Sequence, residues 1–207
     1  MKETPLYCFA RTFLPWLFRT LMPIRVRHAE YMPKNGPVVL CSNHMSSTDP
    51  LRLAYSQRRQ IFFMAKEELF RNKFVACVIR GLGAFPVARG KSDLGAINLS
   101  AQHLKEDDVL GVFIEGTRSK DGKLQRPKPG AVMLASRCNA PILPCCITAK
   151  NGGLPKLFHP AVVAYGKPIS PEELGVRNNT PSELRAASLK VMSCITELRD
   201  ESLKEFH

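Results

Sequence analysis

His44 and Asp49 are the pair on which the chemistry of this chain turns. They close the run Val38-Val39-Leu40-Cys41-Ser42-Asn43-His44-Met45-Ser46-Ser47-Thr48-Asp49-Pro50. An imidazole can take up a proton under physiological conditions, and a carboxylate beside it fixes which ring nitrogen does so. On one continuous helix a five-residue spacing would separate the two side chains by about 140°. The local sequence points to another shape. Val38 to Leu40 is an apolar run of strand length, and Asp49-Pro50 suits an N-cap followed by a first helical residue. A strand–loop–helix corner lets the loop fold back and bring the carboxylate to the imidazole.

A second group of candidates follows two further apolar runs. Arg89 ends Ala84-Phe85-Pro86-Val87-Ala88, and Glu115-Gly116-Thr117-Arg118 ends Val109-Leu110-Gly111-Val112-Phe113-Ile114. A guanidinium offers paired donors that stay charged, which suits a phosphate. Gly116 permits close backbone approach, and the Thr117 and Ser119 hydroxyls add donors. Lys120, Lys123, Arg126 and Lys128 extend this group as a positive mouth or stand as a solvated loop.

The elements that must position these residues alternate. Strands are expected at 38–43, 61–65, 84–88, 109–114, 141–148 and 161–165. Helices are expected over about 50–58, through Leu69 to Ile79, over 92–106, over 130–138, and as a long segment from Pro181. The last carries Leu184, Ala187, Val191, Ile195 and Leu198 as an apolar stripe. This alternation predicts a single α/β domain with a central, mostly parallel sheet flanked by helices. In such sheets functional groups gather beyond the carboxyl ends of the strands. His44, Arg89 and Glu115 to Arg118 all fall there.

Composition narrows the partners. A chain of 207 residues with a formal net charge of +12 calls for an anionic one,. Four Tyr and one Trp give no ladder for stacking bases,, and no zinc-finger or RNA-recognition signature is present, so nucleic acid is not expected. The seven cysteines are odd in number and scattered, without a C-x-x-C pair, as in a reducing compartment,. No cluster has metal-ligand spacing. A G-x-S-x-G elbow is missing, which argues against Ser46 or Ser47 as an esterase nucleophile. The Gly116–Lys123 spacing is one too long for a phosphate-binding P-loop. A base without a protein nucleophile suggests direct transfer, with His44 taking the proton of a substrate hydroxyl as that oxygen attacks an activated acyl group.

Residues 1–24 form a separate unit. Arg11, Pro15 and Arg19 make one polar stripe, and Leu6, Phe9, Phe13, Leu14, Trp16, Leu17, Phe18, Leu21 and Met22 cover the rest. The run is too interrupted for a membrane span and does not read as a signal peptide. It predicts an amphipathic helix, kinked near Pro15, lying in a membrane interface. Arg25, Arg27 and His28 follow as candidates for lipid phosphates. Residues 25–207 are the remaining domain.

Four blocks, spanning about residues 37–150, resemble the glycerolipid acyltransferase family, most closely its bacterial 1-acyl-sn-glycerol-3-phosphate (lysophosphatidate) acyltransferases. Asn43-His44 with Asp49 is similar to the family's N-H-x-x-x-x-D block. Gly83 to Arg89 resembles the second, and Phe113-Ile114-Glu115-Gly116-Thr117-Arg118-Ser119 the third, usually F-P-E-G-T-R-S. Ala140-Pro141-Ile142-Leu143-Pro144 resembles the fourth. Two positions depart: Ile114 replaces the usual Pro, and Ala88 the frequent Asp. Neither change removes a group that handles protons or phosphate.

The resemblance implies transfer of a fatty acyl group from acyl-CoA or acyl-carrier protein to the sn-2 hydroxyl of lysophosphatidate. Phosphatidate would form at the cytoplasmic face of the membrane, with no metal or redox cofactor. It implies that His44 is the base and Asp49 its orienter, that Arg89 and Arg118 hold the acceptor phosphate, and that Glu115, Gly116 and Thr117 shape the acceptor site. Two alternatives stay open. One is the same chemistry on glycerol 3-phosphate or another lysolipid; the other is a non-enzymatic basic protein binding anionic membrane.

Overall fold

A computed structural model describes residues 4–13, 15–87 and 94–206. Among the described residues seven strands form one sheet: β1 (Ile24–Arg27), β2 (Val38–Ser42), β3 (Ile61–Lys66), β4 (Ala84–Val87), β5 (Val109–Phe113), β6 (Ile142–Ala149) and β7 (Ala161–Tyr165). Their order is β1-β7-β6-β2-β5-β3-β4. Every pairing is parallel except β6 with β7. The helices are α1 (Pro5–Phe13), α2 (Pro15–Leu21), α3 (Asp49–Ser56), α4 (Lys73–Gly81), α5 (Leu94–Lys105), α6 (Gly130–Arg137) and α7 (Pro181–Leu203). The protein is thus α/β with a mostly parallel central sheet, as the alternation predicts.

Two cores follow from the strand period of two. Val39, Cys41, Phe62 and Leu110 point to one face and meet α5, α6 and α7. There the expected stripe of α7 is buried, and Thr180 and Glu183 form a capping box at its start,. Leu40, Phe63, Val109 and Val163 point to the opposite face, where Leu53 of α3 joins them. The central strand β2 is buried throughout, between β5 and β6,. The chain runs from β2 towards one edge through β3 and β4, then returns and fills the other edge with β6 and β7. The ends of β2 and β5 therefore lie at the switch in strand order, where open α/β sheets leave a crevice.

The N-terminal segment is two helices on either side of the expected kink. Pro15 begins the second, a position where its missing N–H costs nothing,. They are docked rather than free. The Tyr7 hydroxyl donates to the carbonyls of Ala54 and Arg59, Phe18 stacks on Tyr55 with ring centroids 5.6 Å apart, and Tyr55 bonds to the Met22 carbonyl. Between these helices, α3, β3 and α4 lies an apolar cavity of about 350 Å³, lined by Tyr7, Phe18, Leu51, Tyr55, Met64 and Ile79 among others.

Two local expectations change. Residues 24–27 form an edge strand on β7. Arg27 makes paired bonds to Glu205, at 2.7 and 2.8 Å, and His28 meets Glu30. Both side chains meet carboxylates of the protein while staying about half exposed. Asp49 is the first residue of α3, preceded by Thr48, which makes no side-chain cap bond. Its carboxylate turns back towards the loop, and the reason lies in the site itself.

Candidate active site

The register places the site before any side chain is considered. Ser42, the last residue of β2, pairs with Phe113, the last of β5. Two residues beyond each lie His44 and Glu115, so the two loops leave the sheet side by side. The second loop turns at once, as Gly116 N–H donates to the Phe113 carbonyl at 2.9 Å. Gly116 has φ +70°, left-handed backbone that favours glycine, and the Lys128 side chain lies where a Cβ would project,.

That second loop clamps His44 through its backbone. The His44 N–H donates to Glu115 Oε1 at 3.0 Å, and the His44 carbonyl accepts the Ser119 N–H at 2.8 Å. Glu115 Oε2 accepts the Gln125 N–H at 2.8 Å. Glu115 is 1% exposed, and burial pushes its carboxyl above the ordinary value against the opposing pull of these N–H donors,. It therefore stands behind the opening and positions His44. On the other side, the buried Asn43 side chain donates to the Ile147 carbonyl at 2.9 Å and accepts the Ile147 N–H at 2.8 Å. It continues the β2–β6 ladder one residue past the strand.

The imidazole is held as firmly. His44 Nδ1 donates to Asp49 Oδ2 at 2.9 Å, and Asp49 is fully buried. The same oxygen accepts the Met45 and Ser46 N–H groups at 2.6 and 2.7 Å. This backward convergence is why Asp49 does not cap the helix ahead of it. The ring lies flat on Phe113, centroids 3.8 Å apart and planes 11° apart. With Nδ1 engaged by the carboxylate, Nε2 is the nitrogen left to accept a proton from a substrate.

Gly116, Thr117 and Arg118 are exposed on the same loop. Lys128 returns to it, its N–H donating to the Ile114 carbonyl at 2.8 Å. Arg89 lies outside the described residues. The apolar cavity reaches this corner at Ser47 and Pro50, at the start of α3. Among the described residues no group of three His, Cys, Asp or Glu could hold a metal ion. Buried Cys41 and Cys146 have thiols pushed up to about 12 by burial, so neither is poised as a thiolate nucleophile.

Sequence reasoning places His44 and Asp49 together, and the structure does the same. It does not anticipate the Asn43 ladder, the Ser119 clamp or the Phe113 stack. Only Asn43 carries a local signal, a polar residue at the end of a buried strand.

Comparisons with known proteins point to one family. The chain is 28% identical over 204 residues to a 1-acyl-sn-glycerol-3-phosphate acyltransferase of Bacillus subtilis (strain 168), covering 97% of this chain and 96% of that one. A protein of the same description from Borreliella burgdorferi is 30% identical over 130 residues, covering 62% of this chain and 52% of its own length. The crystal structure of the 1-acyl-sn-glycerophosphate (LPA) acyltransferase from Thermotoga maritima superposes with a TM-score of 0.73 at 27% identity, over 95% of this chain and 77% of that one. The model of the Acyltransferase family matches residues 23–148, a stretch that holds the imidazole, the carboxylate that orients it and the loop that clamps it; the chain belongs to the Acyltransferase family.

Proposed function

We propose that the protein transfers a fatty acyl group from an acyl thioester to the sn-2 hydroxyl of 1-acylglycerol 3-phosphate, giving phosphatidate for phospholipid synthesis. The observation that carries this reading is the His44–Asp49 pair, fixed by backbone bonds beside an apolar cavity. His44 Nε2 takes the hydroxyl proton as the oxygen attacks the thioester carbonyl. The C–O bond forms, the C–S bond breaks, and the proton passes from the imidazolium to the departing thiolate. Asp49 holds the imidazole in the required tautomer and stabilises its charged form. A general base of this kind contributes about 10²- to 10⁴-fold, and positioning of the two substrates supplies much of the rest. Nucleophile and leaving group both come from substrates, so the step calls for no cofactor.

Arg118, exposed on the loop after Gly116, meets the acceptor phosphate, joined by Arg89 in the same role by resemblance, with Gly116 and Thr117 shaping the approach. The acyl chain lies in the apolar cavity. Acyl-CoA and acyl-carrier protein are both acidic donors suited to a chain of net charge +12,. No helix among the described residues is long and apolar enough to cross a membrane. Phe9, Phe13 and Trp16 are exposed on α1 and α2, which supports seating of residues 1–24 in the cytoplasmic membrane interface, with residues 25–207 as the acyltransferase domain.

The test is acyl transfer by the purified protein from palmitoyl-CoA and palmitoyl-carrier protein, offering lysophosphatidate and glycerol 3-phosphate in parallel. Phosphatidate formed by the native chain and lost in His44→Ala supports the reading. Transfer to glycerol 3-phosphate alone replaces the acceptor, and no transfer from either donor overturns the reaction.

A further inference from the structure

The helix α4 is built unlike a surface helix. Its sequence runs Phe74-Val75-Ala76-Cys77-Val78-Ile79, and of these only Ala76 is buried. Phe74 is 78% exposed and Val75 39% exposed, with Leu69 half-open in the turn before. Lys73 and Arg80 share one face of the helix, while Phe74 and Val75 on its apolar side are left open to solvent, the arrangement of an amphipathic helix that lies against lipid,. Arg71, Lys73 and Arg80 flank it, all exposed, and no carboxylate falls between Leu69 and Leu82.

Its position gives that surface a context. Leu6 of α1 rests on Gly81 at the end of α4, and Thr4 bonds to the Gly81 carbonyl. Ile79 and Leu82 form one wall of the apolar cavity, while Tyr7 and Phe18 form the facing part from α1 and α2. Twelve large hydrophobic side chains are exposed among the described residues. Seven of them, from Leu6 to Trp16 and from Leu69 to Val75, sit on these two flanks of one cavity. An exposed apolar concentration of this kind marks an interaction surface.

We propose that α4 is a second membrane-contacting element, which enters the interface of an anionic bilayer beside α1 and α2 and seats the mouth of the apolar cavity on the lipid. The occupant is a lipid surface on two grounds. Around Phe74 and Val75 the flanking charges are Arg71, Lys73 and Arg80, with Glu67 and Glu68 set further back before Leu69, which matches anionic headgroups around acyl chains,. The patch is also continuous with the cavity assigned to a fatty acyl chain, a placement that rests on the proposed acyl transfer.

The test uses the full chain carrying Phe74→Ser with Val75→Ser; neither residue lines the cavity. Leu189→Ser, on the exposed face of α7, serves as control. Sedimentation with phosphatidylglycerol–phosphatidylcholine vesicles should weaken about tenfold for the α4 variant, the scale set by withdrawing one phenyl ring from an apolar contact, and should be unchanged for Leu189→Ser. Acyl transfer between a hexanoyl thioester and a short-chain lysophosphatidate, both in free solution, should stay within about twofold, as for a change outside the reacting groups. Equal sedimentation of native chain and α4 variant overturns the proposal. So does a native chain that self-associates through this face, seen as a change in its elution volume on substitution. Failure of the native chain in the solution assay would strike at the reaction and leave the vesicle result standing.

Discussion

Glu115 Oε1 receives the backbone N–H of His44 at 3.0 Å, so a carboxylate of the third sequence block holds the base of the first. The bond is partly buried and shares its carboxylate with Gln125, ten residues further on. One side chain thereby fixes the imidazole-bearing loop and folds the basic segment after it back over the site. The two blocks act as one unit because β2 and β5 are neighbours that end at the same level.

Replacing Glu115 with Gln keeps the shape and removes one acceptor. An amide NH₂ then faces either the His44 or the Gln125 N–H, and a buried donor goes unsatisfied at a cost of about 1–3 kcal/mol. Glu115→Gln should lower the urea midpoint accordingly and reduce acyl transfer at temperatures where the protein is still folded. A pH series separates charge from shape. Burial raises the folded carboxyl above the ordinary 4.5, so between the unfolded and folded values the native state holds the extra proton. Stability from this group is complete below the unfolded value and falls as pH rises through the folded one. The stability of the native chain relative to Glu115→Gln should therefore decline over that window and level above it. A difference that is flat in pH would remove the burial argument.

Much of this arrangement is legible in the sequence, and the illegible part has a common cause. The six strands from β2 onward follow from apolar runs ending at turns, and His44 and Asp49 follow from a strand–loop–helix corner. β1 is hidden because four residues give only two inward positions, Ile24 and Val26, and the intervening Arg25 and Arg27 suggest a basic tail. Arg52 is hidden because arginine is exposed by default. Here it is fully buried on α3, donating to the carbonyls of Pro23 and Lys156. Glu115 is visible as a site residue, but its direction is not: a motif records residue types, and only the register of β2 against β5 turns the carboxylate towards the His44 backbone.

Asp49 offers a sharper test of the pair. Three donors converge on Oδ2: His44 Nδ1 and the N–H groups of Met45 and Ser46. Asn at this position still offers one oxygen to the loop but no charge to a protonated imidazole. Asp49→Asn should fold with a stability loss of about 1–3 kcal/mol and lose acyl transfer by about 10²- to 10⁴-fold. Full activity in the variant would reduce Asp49 to a brace for the loop.

Gly111 controls the base from beneath. A Cβ on Gly111 would lie 2.2 Å from Phe63 Cε1 and 2.8 Å from Ile61 Cγ2. Phe63 stacks on Phe113 at 5.7 Å, and Phe113 on His44 at 3.8 Å. Gly111→Ala must move the first ring of this series. Overpacking of this kind costs about 1–3 kcal/mol. Calorimetry should show a lower Tm, and kcat should fall further than the folded fraction accounts for. A drop in Tm with unchanged kcat would show that the rings do not transmit the displacement.

Arg118 differs from all of these because it does nothing for the fold. It is exposed on the loop after Gly116, while the clamp on His44 uses its neighbours Glu115 and Ser119. Arg118→Ala should leave Tm within a degree or so, as for a surface change of about 0.5 kcal/mol. If the guanidinium meets the acceptor phosphate, its loss raises KM for lysophosphatidate about tenfold or more, since a hydrogen bond to a charged group contributes about 1.5–3 kcal/mol. The acyl donor makes no such demand on it, so KM for the thioester should hold. Arg118→Lys keeps the charge without the paired donors and should restore only part of the loss. A rise in donor KM with unchanged acceptor KM would move Arg118 to the thioester side of the site and leave Arg89 with the phosphate.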